Sequence, residues 1–324
     1  MLSIKQLQEI ITNEIDQLQL PEYPAELYEP IRYLLNLGGK RMRPVLTLMG
    51  CNLFSDGIQG AIKPALAVEV FHNFTLVHDD IMDNAPIRRG KATVHEKWDA
   101  NSAILSGDVM MVKAYELLMQ VPDSKLRDLL TIFNKTAIEV CEGQQIDMNF
   151  ESREYVGVNE YLEMIGLKTA VLLGCSLQIG ALIGNATTEE AEHLYQFGKN
   201  LGIAFQLQDD ILDVFGEPEK FGKMVGGDII ANKKTFLLIK AHELAQGENK
   251  ANLERWLTTK VFKTEDKVKA VTEIYDQLNI RKLAEIEMQH FAEKALFHIN
   301  QISLSESRKQ PLVEFAEQLM VREH

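Results

Sequence analysis

Phe71-His72-Asn73-Phe74-Thr75-Leu76-Val77-His78-Asp79-Asp80-Ile81-Met82-Asp83 is the stretch on which the fold turns. A largely apolar run leads without alternation into three carboxylates. At about 100° per residue, Asp79 and Asp83 project from one helix face about a turn apart. The cluster returns as Asp209-Asp210-Ile211-Leu212-Asp213, after a second largely apolar run from Gly202 to Leu207. Each acidic group therefore ends a buried segment and does not decorate a solvated surface. Carboxylates this crowded repel, and one of each set would be driven toward its neutral form without compensation. Hard divalent cations remove the conflict, and magnesium commonly completes its octahedron with waters and substrate phosphate oxygens. The two motifs read as two walls of one metal-diphosphate site.

Outward from these motifs, apolar residues recur at intervals of three and four, with no convincing alternating or βαβ pattern. The periodicity predicts helices at about 3–19, 25–37, 43–55, 59–83, 95–120, 124–150, 158–184, 187–215, 229–246, 265–299 and 306–321. Pro21, Pro24, Pro44, Pro86, Pro122, Pro218 and Pro311 fall at the ends of these segments or in connections. No interdomain linker, low-complexity tract or short repeat interrupts the chain. The expected architecture is all-α, with residues 1–324 forming a single domain.

Composition sets outer limits. The 324 residues are 46% hydrophobic and 25% charged, ordinary globular values that allow a sizeable core. Thirty-four basic against 47 acidic residues give a net charge of −13, which disfavours a nucleic-acid or anionic-membrane partner. A phosphate substrate is negative too, and bridging cations resolve that conflict. Cys51, Cys141 and Cys175 are widely spaced in apolar stretches and read as buried thiols, not as a disulfide framework or a zinc set. Charges interrupt the first residues, so no signal-peptide core is present and a cytoplasmic protein is expected. The most apolar window, Ala170 to Gly184, is shorter than a membrane span and reads as a core helix.

Four basic clusters complete the constellation. Gly38-Gly39-Lys40-Arg41-Met42-Arg43-Pro44 is a glycine-flexed loop entering a helix, where basic side chains and free backbone donors suit a diphosphate held without metal. Arg88-Arg89 follows the first acidic motif closely enough to meet phosphate oxygens in bidentate fashion. Lys168-Thr169 opens the apolar helix that ends at Gly184. Lys223 and Lys233 bracket a glycine-rich loop able to close over a polyanion.

In this order, Gly38-Gly39-Lys40 with Arg43, the first Asp-Asp-x-x-Asp with Arg88-Arg89, Lys168-Thr169, Gln206 before the second Asp-Asp-x-x-Asp, and then Lys223 and Lys233, the chain resembles the trans-isoprenyl diphosphate synthases. These are the polyprenyl synthetases of farnesyl/geranylgeranyl diphosphate synthase type. The likeness runs from about residue 25 to 245 and rests on six motifs in the family's order. It implies the isoprenoid synthase fold, a helical bundle around a central cavity. It also implies a metal set of Asp79, Asp80, Asp83, Asp209, Asp210 and Asp213: about three magnesium ions coordinated by Asp79, Asp83 and Asp209, with Asp80, Asp210 and Asp213 in support. Arg88, Lys168, Lys223 and Lys233 would hold the allylic diphosphate, while Lys40, Arg43, His72 and Arg89 would hold isopentenyl diphosphate. Thr169 and Gln206 would present oxygens to the allylic carbon, and Gln144 and Asp147 match a pattern near the cavity. A homodimer is the family's usual state.

The implied chemistry is a head-to-tail condensation. Heterolysis of the allylic carbon–oxygen bond leaves a delocalised cation and a diphosphate whose growing charge is stabilised by preorganised magnesium, lysine and arginine. The isopentenyl double bond then attacks, and a proton leaves to the departing diphosphate. Phe74 and Thr75 lie about a turn deeper along the first motif's helix, where the growing tail should run. With Thr75 in place and no insertion inside the first motif, a geranylgeranyl product is favoured over farnesyl. A terpene cyclase would not need the second anion pocket, and a non-catalytic partner subunit would be expected to lose Asp or Arg positions retained here.

Overall fold

The structure, a computed structural model, describes residues 2–216 and 226–320. Within them helix follows helix, and local chemistry explains many of the ends. Helix α1 (Ile4–Asp16) opens on a capping box, with Ser3 Oγ accepting from the Gln6 amide at 3.3 Å and Gln6 Oε1 from the Ser3 amide at 2.9 Å. Helices α2 (Ala25–Asn36), α3 (Met42–Phe54) and α4 (Gln59–Met82) follow. A one-turn helix α5 (Val94–Lys97) then leads to α6 (Ala100–Leu118), which is capped by Asp99 accepting from the Ser102 amide at 2.9 Å. Next come α7 (Asp123–Glu151), α8 (Val158–Ile165), a π-helical turn at Gly166–Ala170, α9 (Val171–Ile183) and α10 (Thr188–Phe215). After the undescribed residues lie α11 (Gly227–Ile230), α12 (Phe236–Leu244), α13 (Gly247–Thr258), α14 (Thr264–Gln277), α15 (Ile280–Asn300) and α16 (Glu306–Met320).

The chain divides into two compact units. The first comprises Met1–Thr136, Leu172–Tyr195 and Gln301–Leu312; the second comprises Ala137–Val171, Gln196–Asn300 and Val313–His324. In the first unit α4 packs along α3 and α6, and its middle is buried almost all round, from Ala61 to Phe71. That explains why its apolar pattern is nearly continuous and not striped. Lys125 closes the far end of α9, donating to the carbonyls of Leu182 and Ile183 and to Asn185 Oδ1, so that the helix's orphan acceptors are satisfied. In the second unit Tyr161, Leu207, Phe236, Leu237, Tyr275 and Ile280 are among the residues of one buried cluster, and α12 packs against α8, α14 and α15.

The all-α expectation is met, with local corrections, the first of which is that the helix predicted at 229–246 is broken over 231–235, between α11 and α12. The predicted helix at 95–120 is broken before Ala100, and residues before it form a small antiparallel hairpin in which Ile87 faces Ala92 and Arg88 faces Lys91. Its turn, Arg89-Gly90, has φ of 52° and 74°, the left-handed pair that a tight hairpin requires. Helix α13 occupies residues read as a connection, because Leu253 is its only buried residue and its large apolar side chains are confined to Leu253, Trp256 and Leu257 near its end. The predicted helix at 265–299 is two helices, parted where Asn279 adopts φ of 54°. Pro30, Pro64 and Pro311 lie inside helices, and Pro311 was expected at an end. Cys51 and Cys175 are buried thiols outside any disulfide, as expected, whereas Cys141 is exposed. One stretch among the described residues, Val158–Ile183, is long and apolar enough to cross a membrane, and 72% of its apolar window is buried inside the protein.

Candidate active site

The first acidic motif closes α4, with Asp79 in the last turn and Asp83 as the C-terminal cap. The Asp83 amide still donates to the Asp79 carbonyl at 2.8 Å, so the i, i+4 pair keeps helical spacing. The second motif occupies the last two turns of α10. Carboxylates at helix C-termini add their charge to the negative end of the macrodipole, an arrangement that a cation relieves.

Within each motif the three carboxylates differ in the same way. The inner ones, Asp80 and Asp210, are 2% and 3% exposed. Asp79, Asp209 and Asp213 are partly exposed and Asp83 is open. Asp80 is held by Arg88, whose Nε lies 2.8 Å from one oxygen and whose Nη2 lies 2.7 Å from the other. Asp210 accepts from the Tyr161 hydroxyl, and the Gln206 amide stands 3.4 Å from its other oxygen. Burial, reinforced by the nearby Asp228 charge, pushes the Asp210 carboxyl up to about 7 despite the Tyr161 bond. The inner carboxylates are thus buried against protein donors, while the outer ones keep more contact with solvent.

In the first unit a set of guanidinium groups gathers behind the motif. The hairpin turn sends consecutive arginines apart: Arg88 goes to Asp80, and Arg89 donates to the Gly38 carbonyl. Gly39 has φ of 127°, and a Cβ there would come within 2.8 Å of the Arg89 guanidinium, so a side chain is excluded twice over. Arg43 donates from Nη1 to His72 Nε2 at 3.0 Å, which makes that ring nitrogen an acceptor and the imidazole neutral. Burial and then the Arg43, Arg89, Arg88 and Arg41 charges hold His72 well below its ordinary pKa. Burial likewise lowers the Arg43 pKa to about 10; the Glu69 charge works against that fall and the Arg89 charge adds to it. The balancing charge is Glu69, 2% exposed, 2.6 Å from Arg41 Nη1 and 3.1 Å from Asn73 Nδ2. Lys40 is exposed at the loop, its carbonyl accepting from Gln8 Nε2 at 3.1 Å. Positive charge exceeds negative here, as an anion site requires.

In the second unit Lys168 and Thr169 sit in the π-helical turn, an irregularity frequent at functional sites. A Cβ on Gly143 would collide with the Lys168 backbone nitrogen, and one on Gly202 would come within 2.7 Å of Ala170 Cα. The turn is therefore pinched between α7 and α10. Lys168 Nζ reaches Asp147 Oδ2 at 2.5 Å, and Gln144 is buried one turn away on the same helix. Asp213 is fixed from its far side, its Oδ2 accepting from the Asp228 amide at 2.9 Å. Lys233 Nζ lies 3.9 Å from Asp228 Oδ1. Lys223 lies outside the described residues.

Structure thus gathers Arg43, His72 and Arg88-Arg89 in one unit, and Lys168, Asp147, Gln206 and the second motif in the other. Sequence reading missed Glu69, Tyr161 and Asp228 as partners. Glu69 lies one helical turn from His72, a spacing that could have flagged it. Among the described residues no three His, Cys, Asp or Glu side chains are gathered tightly enough to hold an ion by themselves. The outer aspartates at helix C-termini, partly or fully exposed, nevertheless fit a hard divalent cation that retains water and phosphate ligands.

Comparison with known proteins agrees with this reading. Residues 24–275 match the polyprenyl synthetase family model. The chain is 41% identical over 277 residues, 83% of each chain, to the geranylgeranyl diphosphate synthase of Methanosarcina mazei. A crystal structure of geranylgeranyl pyrophosphate synthase matches at a TM-score of 0.95 and 45% identity over 99% of both chains. The geranylgeranyl pyrophosphate synthetase of Pyrococcus horikoshii matches at 0.91 and 35% identity over 98% of this chain and 97% of its own.

Proposed function

Because the chain belongs to the polyprenyl synthetase family and is a transferase of prenyl groups, we propose that it condenses isopentenyl diphosphate with an allylic diphosphate to make geranylgeranyl diphosphate. The observation that carries this reading is the shared division of labour in the two acidic motifs, in which buried Asp80 and Asp210 are satisfied by protein partners and Asp79, Asp83, Asp209 and Asp213 remain more open. The outer carboxylates are the ligands of the divalent metal, which we take to be about three magnesium ions. The inner ones act as supports. Bound magnesium would supply charge neutralisation to the departing diphosphate.

The chain's own groups would do the rest. Arg88, Lys168, Lys233 and Lys223 bind the allylic diphosphate, and Lys168 is held by Asp147 against the π-helical turn before substrate arrives. Lys40, Arg43, Arg89 and His72 bind the diphosphate of isopentenyl diphosphate. Neutral His72 accepts from Arg43 and so aims its guanidinium. Thr169 and Gln206 turn polar atoms toward the allylic carbon, and Gln206 is steadied by Asp210. Phe74 limits the tail. Its ring stands 4.8 Å from His78 and 5.6 Å from Phe71. The family match takes in residues from both units, which supports one polyprenyl synthetase domain.

Leu105 and Val112 on α6 and Met119 at its C-terminal cap recur at intervals of seven and are 57%, 68% and 59% exposed, which supports a homodimer with this face covered. Burial of the one long apolar stretch found among the described residues favours a cytoplasmic protein without membrane insertion. The deciding experiment incubates the pure protein with labelled isopentenyl diphosphate and, in turn, dimethylallyl, geranyl and farnesyl diphosphate, with magnesium or a chelator. A magnesium-dependent twenty-carbon product supports the reading, and absence of turnover with every allyl rejects it.

A further inference from the structure

Lys267, on α14, is 1% exposed, and among the described residues no carboxylate forms an ion pair with it. Burying an ammonium group without a counter-charge is costly unless its donors are fully used. Here they are aimed at one short segment. Nζ donates to the Ile230 carbonyl at 3.1 Å and to Asn232 Oδ1 at 2.7 Å, and it stands 4.4 Å over the Phe262 ring. Asn232 has φ of 53°, and its amide nitrogen donates at 3.0 Å to the Leu257 carbonyl at the end of α13. The segment 227–233 is thus bracketed by α13 and α14.

That segment leads straight to the second acidic motif. The Lys233 amide closes the turn on the Asp228 carbonyl at 2.9 Å. The Asp228 amide donates to Asp213 Oδ2 at 2.9 Å, and the Gly226 amide donates to the Asp213 carbonyl at 2.6 Å. From the geometry we infer that Lys267 is a positioning residue for the metal-diphosphate end of this site: it pins the segment whose amides fix Asp213 and whose end carries Lys233. The inference rests on the proposed roles of Asp213 and Lys233. A charged donor suits the task, since one ammonium can serve the last carbonyl of α11 and the side chain of a left-handed Asn together.

Lys267→Met and Asn232→Gly test it, the second variant keeping the left-handed backbone while removing the acceptor. Calorimetry with magnesium and inorganic pyrophosphate is the binding readout, and KM for each substrate is the kinetic one. Partners of this kind commonly shift metal affinity about 10–100-fold, so we expect Lys267→Met to weaken magnesium-pyrophosphate binding and raise the allylic KM by about tenfold. The isopentenyl KM should stay within about twofold, because Lys40, Arg43 and His72 belong to the other unit. Asn232→Gly should shift the same quantities less, and the double variant should match Lys267→Met alone. Equal shifts in both KM values, or unchanged binding with only a lower melting temperature, overturn the inference. If Lys267→Met does not fold, Asn232→Gly with wild-type binding overturns it as well. Wild-type turnover reports separately on the synthase reading.

Discussion

Arg88 holds Asp80 through two nitrogens and both carboxylate oxygens, at 2.8 and 2.7 Å, inside a helix end where Asp79 and Asp83 on either side are more exposed. On the proposed reading, one residue of the motif belongs to the fold and its neighbours to the chemistry. Asp80→Ala should therefore destabilise the protein by about 3 kcal/mol in urea unfolding, because it leaves a largely buried guanidinium unpaired. Asp83→Ala should move stability by less than about 0.5 kcal/mol, as open surface substitutions do, while lowering kcat by about 10²-fold or more. Equal stability losses for the two would dissolve the distinction.

Tyr161 plays the corresponding part for Asp210. Tyr161→Phe removes the hydroxyl donor from a carboxylate that is 3% exposed, leaving the Gln206 amide at 3.4 Å. A loss of about 1–3 kcal/mol in unfolding free energy is expected. The Asp210 pKa should rise further, which NMR titration of the carboxyl carbon in chelator would read.

His72 makes stability depend on pH in a set direction. Burial and the neighbouring arginines depress its folded pKa, so the unfolded chain takes up a proton first as pH falls. The contribution is fully present above the unfolded value of about 6.5 and is lost progressively as pH falls below it. His72→Gln, which can still accept from Arg43, should lack this loss. Parallel urea midpoints for both proteins between pH 8 and 5 would contradict it.

Phe74→Ala should lengthen the product. Removing a ring that packs on His78 and Phe71 opens about one helical turn, near 5.4 Å, the scale of one added five-carbon unit. Reversed-phase chromatography of dephosphorylated products is the measurement, and an unchanged distribution discards Phe74 as the floor.

Val112→Glu with Leu105→Lys should convert a dimer to monomers in light scattering if the exposed α6 face is the contact, since both side chains are more than half exposed in the single chain. A mass that stays dimeric moves the interface elsewhere.

Sequence alone disclosed the helices with strong periodicity and the order of the charged motifs. It did not disclose α13, whose single buried residue leaves no stripe, nor the break at Asn279, where one left-handed residue parts two helices inside a continuous amphipathic pattern. The hairpin at 87–92 was short enough to hide, although Arg89-Gly90 held its turn signal. In the site, the letters of an Asp-Asp pair are identical, and only tertiary partners separate them. Arg88 is eight residues from Asp80 and Tyr161 is 49 from Asp210, so the second of these contacts is invisible to any local pattern. The π-helical turn under Lys168 likewise follows from close packing against Gly143, which no periodicity reports.

Both acidic motifs end helices, so like charges are stacked at the negative poles of α4 and α10. Whatever neutralises them acts as a preservative as well as a reactant-holder, because a ligand that favours the folded chain shifts its equilibrium by mass action. Purified material kept in a chelating buffer should accordingly age faster in storage than the same material kept with millimolar magnesium, before any prenyl compound is added.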